Sequence, residues 1–468
     1  MENLDWTTAL KEAKVLVGYA APIICTMLLE YLFFVTSAAI IGRISTEKLA
    51  CAALGEITSG VTGLSIIQGF ISTLESVLPR AWASDNPTHF VLWTQRMLVL
   101  AAFLIIPIGT LWLNAKFLFL CLRQEPVVAR YVALYLRYLV FMLSFYPFNR
   151  VIRRYFQAQG LMHVPSIVVV IVMPINVALN YLLVWGPEPI RLGFIGAPIA
   201  TSLSMFLISC CYIAYIIFLA SRTAWHPVSS KALTNQPKLI RLGLAGIGQT
   251  VALWRSGELT SLAASQFGPT TLAAQSILVI STTTAFMIHA ALAITSAVCI
   301  GKLLGAGNAH GALVASRVAV ALAVIEGLAM GIQRLIFMGL RTQLTYFFNN
   351  DPAVAKLVSG VVPLLALYQV SDGVSATAGG ILRACGEILT GATTNFIGYY
   401  TLGIPLGILL AFKYHFGLFG LWIGIAIALL FAAVVPCTFI LRLDWDAEVR
   451  DVKERIAPDE VHATSDEV

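Results

Sequence analysis

The sequence predicts an all-α polytopic membrane protein with twelve transmembrane helices in two six-helix lobes, related by a pseudo-two-fold axis along the membrane normal. Three observations predict it. Of 468 residues, 58% are hydrophobic and only 12% are charged, against roughly a quarter charged in soluble domains. Twelve apolar segments follow one another, each long enough to cross a hydrocarbon core of about 30 Å at about 1.5 Å per residue. Motifs of the first half return in the second at a nearly constant offset.

The segments fall at roughly 15–41, 49–78, 91–113, 128–149, 164–185, 194–220, 239–267, 271–300, 312–339, 354–381, 389–412 and 417–441. The polar leader MENLDWTTALKEAK carries acids as well as lysines, so the first apolar segment reads as a retained span and not a cleaved signal. These boundaries predict a cytoplasmic N-terminus at 1–14, an N-terminal lobe at 15–220, a linker at 221–238, a C-terminal lobe at 239–442 and an acidic tail at 443–468. Lys and Arg concentrate in the loops on the side of the two termini, which places both termini in the cytoplasm. The tail, DWDAEVRDVKERIAPDEVHATSDEV, reads as a short amphipathic or disordered end.

The duplication rests on three pairs of motifs in the same order. RAWASDN (80–86) is matched by KLLGAGN (302–308), and RRYFQAQG (153–160) by GGILRACG (379–386) at an offset of 226. GFIGAPIATSL (193–203) is matched by GLFGLWIGIAI (417–427) at an offset of 224. Six helices per copy is an even number, so the copies share orientation, as in transporters built from parallel repeats.

Intramembrane acids are costly, about 2.5–3.5 kcal/mol at a helix centre, and default to a functional reading. In AGIGQTVALWRSGELTSLAASQF, Trp254, Glu258, Ser261 and Ser265 recur at helical spacing and form one polar stripe. Glu258 reads either as a proton or cation site or as a structural ion pair with Arg255. Asp372, in YQVSDGVSATAGG beside glycines and hydroxyls, is the second such acid and the expected partner of Glu258, with Tyr368 on the same face. Glu30, Glu56 and Glu326 are further intramembrane acids. Thr36 and Ser37 stand in the first span where an acid of the first half is expected. His289 reads as a polar contact between helices. An acid deprived of hydration can hold a proton or a cation but resists holding both. The expected cavity is lined by Trp254, Arg255, Ser261, Tyr368, Asn395 and Tyr399, whose aromatic faces suit an organic cation.

The eight cysteines lack metal-ligand spacing, and the sequence has no phosphate-binding Gly-x-x-x-x-Gly-Lys loop or nucleophile elbow. No enzymatic activity, cofactor, metal or nucleic acid is expected.

The sequence resembles the multidrug and toxic compound extrusion (MATE) family in its eukaryotic branch, as a divergent member. The resemblance is carried by ISTLESVLPRAWASDN, INVALNYLLVWG, LAAQSI, GKLLGAGN and, most specifically, GGILRACGEILTGATTNFIGYYTLGIPLGILLAF followed by GLFGLWIGIAI. It implies export of organic cations or xenobiotics in exchange for protons, with sodium as the alternative ion, through alternating access of two lobes. It also implies that Glu258 matches a seventh-span coupling glutamate and Asp372 a tenth-span acid, while Leu253 and Arg255 depart from the family's Glu-Trp-Trp-x-x-Glu pattern. The alternatives are an exporter of anionic or lipid-linked substrates on the same fold and a membrane receptor without transport. A monomer in the plasma or vacuolar membrane is expected.

Overall fold

The computed structural model describes residues 6–84, 88–219, 230–233, 236–339 and 352–452. The expected linker lies largely outside them, as does the tail beyond 452. Every expected span is helical. In chain order the helices are α1 (Trp6–Gly42), α2 (Thr46–Ser59), α3 (Ser65–Ile71), α4 (Leu74–Ala83), α5 (Thr88–Leu113), α6 (Ala115–Cys121), α7 (Pro126–Leu143), α8 (Tyr146–Gln159) and α9 (His163–Trp185). They continue as α10 (Gly196–Phe218), α11 (Gln236–Ser265), α12 (Pro269–Gly305), α13 (Ala309–Gly339), α14 (Pro352–Cys385), α15 (Ile388–Phe396), α16 (Ile404–Ile408) and α17 (Gly417–Leu441). Among the described residues, eleven segments are long and apolar enough to cross a membrane. The seventh expected span is α11, a helix of 30 residues.

The second span is interrupted: a π-helical turn at Gly60–Leu64 separates α2 from α3, and the chain turns again before α4. Two further π-helical stretches, Ile397–Gly403 and Leu409–Lys413, flank α16 in the eleventh. Such bulges widen a helix locally and leave carbonyls free.

The repeated motifs share backbone conformation as well as sequence. Gly160 and Gly386, the ends of the RRYFQAQG and GGILRACG pair, are both left-handed, with φ of 90° and 82°. Gly193 and Gly417, the starts of the last pair, have φ of 61° and 54°. Only glycine enters this region without a Cβ clash, so each pair ends or begins a span at the same place in both copies.

The described chain forms two compact units, and they exchange segments relative to the two halves of the sequence. One unit contains Met1–Ala21, Glu75–Asp85 and Gly248–Val468, the other Pro22–Leu74 and Asn86–Ile247. The change of unit within α1 falls at Pro22, whose ring removes a helical hydrogen bond. The next falls at the break between α3 and α4.

In the unit that holds the second half, α14 packs along α12, α13 and α17. Small residues set the approach: a Cβ at Gly380 would lie 2.2 Å from the Ala293 carbonyl oxygen, so the backbones of α14 and α12 touch. Its core joins Leu16, Ile300, Leu304, Ala315, Ile381 and Leu382. The acidic tail contributes to this core. Residues 445–452 are helical, Asp444 Oδ1 accepts the Asp446 and Ala447 amides at 3.1 Å as an N-cap, and Trp445, Val449 and Val452 are buried. The amphipathic reading of the tail therefore holds over 445–452, because a face repeating every three to four residues finds an apolar surface.

Gly380→Val is expected to force α14 from α12, at a cost of about 1–3 kcal/mol or more from overpacking. The thermal unfolding midpoint of the protein in detergent should fall, which a fluorescence melting curve measures.

Candidate functional site

Helices α12, α13 and α14 each carry a titratable residue near the middle of their length: His289, Glu326 and Asp372. Their packing brings these to one depth. The His289 imidazole has no exposed surface; its Nδ1 lies 3.0 Å from Glu326 Oε1 and its Nε2 3.9 Å from Asp372 Oδ2. Gln369, one turn before Asp372 and also without exposed surface, places its amide nitrogen 2.5 Å from His289 Nε2. A Cβ at Gly373 would lie 3.1 Å from both the Ala323 carbonyl oxygen and His289 Nδ1, so the glycine beside Asp372 makes room for the ring. Arg334 of α13 acts electrostatically on both Asp372 and His289, while its Nη2 donates to the Ser281 carbonyl at 3.1 Å.

Among the described residues no contact joins Asp372 to Glu258. Asp372 faces α12 and α13, and its ionisable neighbours are His289, Glu326 and Arg334. Glu258 is half-buried on α11. The side chains of Trp254 and Arg255 lie outside the described residues, so the expected Arg255 contact falls there too.

Beside α11 lies a cavity of about 310 Å³, lined mainly by apolar groups that include Thr260, Ala263, Tyr399, Phe412, Leu421 and Ile425. Ser261 sits next to the cavity in a polar chain: its hydroxyl donates to the Gly257 carbonyl and accepts from Gln275 Nε2 at 3.2 Å, and Trp422 Nε1 donates to Gln275 Oε1 at 2.9 Å. Tyr368 stacks on that Trp422 ring, with centroids 6.1 Å apart and planes 9° from parallel. One face of Tyr368 is therefore already covered. Asn395 is half-buried on α15 and outside the cavity lining.

The acids of the other unit differ in kind. Glu30 is clamped by two guanidiniums, with Arg150 Nη1 at 3.2 Å and Arg153 Nη1 at 3.0 Å from Oε2 and a second Arg153 contact to Oε1. Glu56 accepts from the Tyr135 hydroxyl at 3.2 Å. Where the first span lacks an acid, Ser37 is buried and donates to Asn180 Oδ1 at 3.2 Å; Asn180 in turn donates to Asn176, and Asn176 to Ser204. That depth of the first half is filled by a neutral hydrogen-bonded ladder.

The sequence reading missed Gln369, Gln275 and Trp422, and it left Glu326 unpaired with His289. A signal for the latter was present: three consecutive spans, each with a titratable group near its middle, place those groups at one depth when the helices are neighbours. The amides carry no such mark, because glutamine and tryptophan are unremarkable until a partner stands opposite.

Removing the Glu30 carboxylate leaves Arg153 buried without its counter-charge. Glu30→Gln should therefore destabilise the protein by about 3–5 kcal/mol. Arg153→Met in the same chain should recover part of that loss, as read by thermal unfolding of the single and double variants.

The comparisons with known proteins agree with this architecture. The MatE family model matches residues 22–182 and again 247–409. The two matches begin 225 residues apart, the spacing of the repeated motifs. An uncharacterised transporter of Schizosaccharomyces pombe is 35% identical over 436 residues, covering 93% of this chain and 80% of its own. The human multidrug and toxin extrusion protein 1 is 28% identical over 437 residues, covering 93% of this chain and 75% of its own. The crystal structure of the eukaryotic MATE transporter AtDTX14 superposes with a TM-score of 0.88 at 26% identity, covering 96% of this chain and 99% of that one. With both halves matched by the family model and nearly the whole chain aligned to these transporters, the protein belongs to the MATE family of membrane transporters.

Proposed function

We propose that this protein is a secondary antiporter that exports organic cations or xenobiotics in exchange for protons, coupled through the second half of the chain. The observation that carries the reading is the setting of Asp372. It is 8% exposed in the middle of an apolar helix, and among the described residues the basic group within 4 Å of its carboxylate is an imidazole, which can itself be neutral. Glu30 and Glu75 are different: Glu30 is held by Arg150 and Arg153, and Arg383 Nε donates to Glu75 Oε2 at 2.7 Å, so each is paired with guanidiniums, whose charge is permanent. Glu56 also lacks a described cation, but its contact is the Tyr135 hydroxyl, and among the described residues no second titratable side chain is bonded to it.

An acid that no guanidinium contacts directly, with Arg334 acting only from farther off, can exchange a proton for a cationic ligand, since each neutralises it and both together do not fit. The largely apolar cavity beside α11 suits the hydrophobic body of such a ligand, and its volume lies at the lower end of small-molecule sites, which run from about 300 Å³ upward. Glu258 on α11 supplies a second carboxylate on the same half of the chain, as the resemblance implies. The names of the multidrug and toxin extrusion relatives support xenobiotics as the substrate class. Both termini in the cytoplasm, a monomer, and residence in the plasma or vacuolar membrane complete the reading. Alternating access then follows from two repeats working against each other.

In proteoliposomes with an imposed pH gradient, the wild-type protein should drive uptake or release of a fluorescent organic cation. Asp372→Asn and Glu258→Gln should each abolish the gradient-driven component while the protein still folds. Wild-type flux in both variants would overturn the coupling assignment; flux of an anionic conjugate but not of the cation would overturn the substrate class.

A further inference from the structure

His289 is enclosed by more chemistry than a contact between helices needs. Its ring touches side chains on two other helices, Glu326 of α13 at Nδ1 and Gln369 with Asp372 of α14 at Nε2. The charged or titratable groups facing it are Glu326 and Arg334 from α13 and Asp372 from α14. With the Gln369 amide nitrogen turned to the ring, the contacts fit one protonation state. Nδ1–H donates to Glu326, and the Gln369 amide donates to the lone pair of Nε2, which is the neutral imidazole. In that state two polar atoms of the cluster are orphaned: Gln369 Oε1 and Glu326 Oε2 are buried without a hydrogen-bond partner among the described residues.

Those orphans are what a second state would use. A proton added at Nε2 turns that atom from acceptor to donor, and the Gln369 amide nitrogen then faces it donor to donor. Turning the amide over brings Oε1 to Nε2–H and frees the amide hydrogens, so the atom unsatisfied in one state is the acceptor in the other. The imidazolium would stand between two carboxylates, which resist being charged together in a water-poor site unless a cation separates them. A cationic substrate near Asp372 would repel it.

We infer that His289 is itself a proton-binding residue of this transporter: it takes a proton from water at Nε2, holds it between Glu326 and Asp372, and returns it to water when an organic cation binds, with the Gln369 amide turning over between the two states. This rests on the proposed cation-proton exchange and adds a second group to it. The proton binding of His289, however, can be read without any substrate.

The test uses the full chain with histidine labelled by nitrogen-15, purified in detergent. The ring nitrogens of His289, assigned from the difference spectrum of His289→Gln, are expected to pass from the neutral to the protonated pattern between about pH 8 and pH 5. Should that variant not fold, Asp372→Asn and Glu326→Gln identify the same ring by perturbing it. Tetraphenylphosphonium added at the acid end is expected to restore the neutral pattern, and His289→Gln is expected to release fewer protons per cation bound than the wild type. Ring nitrogens unchanged across that pH range, or equal proton release by His289→Gln, would overturn the inference. Failure of tetraphenylphosphonium to bind the wild-type protein would count against organic-cation export, while the pH titration would still decide His289.

Discussion

A carboxylate in hydrocarbon has no water to solvate it, so the protein around it must supply every partner it has. This constraint sorts the acids of the molecule. Glu30 and Glu75 are met by guanidiniums, whose charge is permanent, and the resulting pairs are fixed parts of the scaffold. Asp372 is met by an imidazole, with the Arg334 guanidinium and the Glu326 carboxylate acting on it from farther off. Its surroundings can change charge, and the same fold therefore carries both fixed pairs and an adjustable one.

The adjustable cluster depends in turn on how closely three helices approach. Gly373 admits the His289 ring, and Gly380 lets α14 touch α12 farther along. Without these small residues the three mid-helix groups would be held apart by their own backbones. Helix packing in lipid relies on such residues because there is no hydrophobic drive between helices there. The site and the packing are consequently one feature: the glycines that bring α12 and α14 together also bring a titratable ring against an acid.

The duplication gives two copies of one backbone plan with different polar fillings. The left-handed glycines recur at matching places, so the chain turns alike in both copies. The second half gathers His289, Glu326 and Asp372 near the middles of their helices, while the first half has Ser37, Asn176 and Asn180 in a neutral ladder. Neutral ladders hold helices together without responding to a proton. The asymmetry fits the proposed coupling through the second half.

Sequence by itself determined the order of the helical spans, the duplication and the rarity of the buried acids. Those properties are local or periodic: apolar length, motif recurrence and the presence of a charge need no knowledge of neighbours. It also marked Asp372 and Tyr399, since an acid and an aromatic in a helix near glycines stand out on composition. What the sequence could not determine was the pairing. Asp372 meets His289, Tyr368 lies against Trp422, and 445–452 folds onto the core. Each of these depends on which face of one helix turns toward which face of another. That rotation is set by the sum of many close contacts between distant segments, and only the tertiary structure carries it.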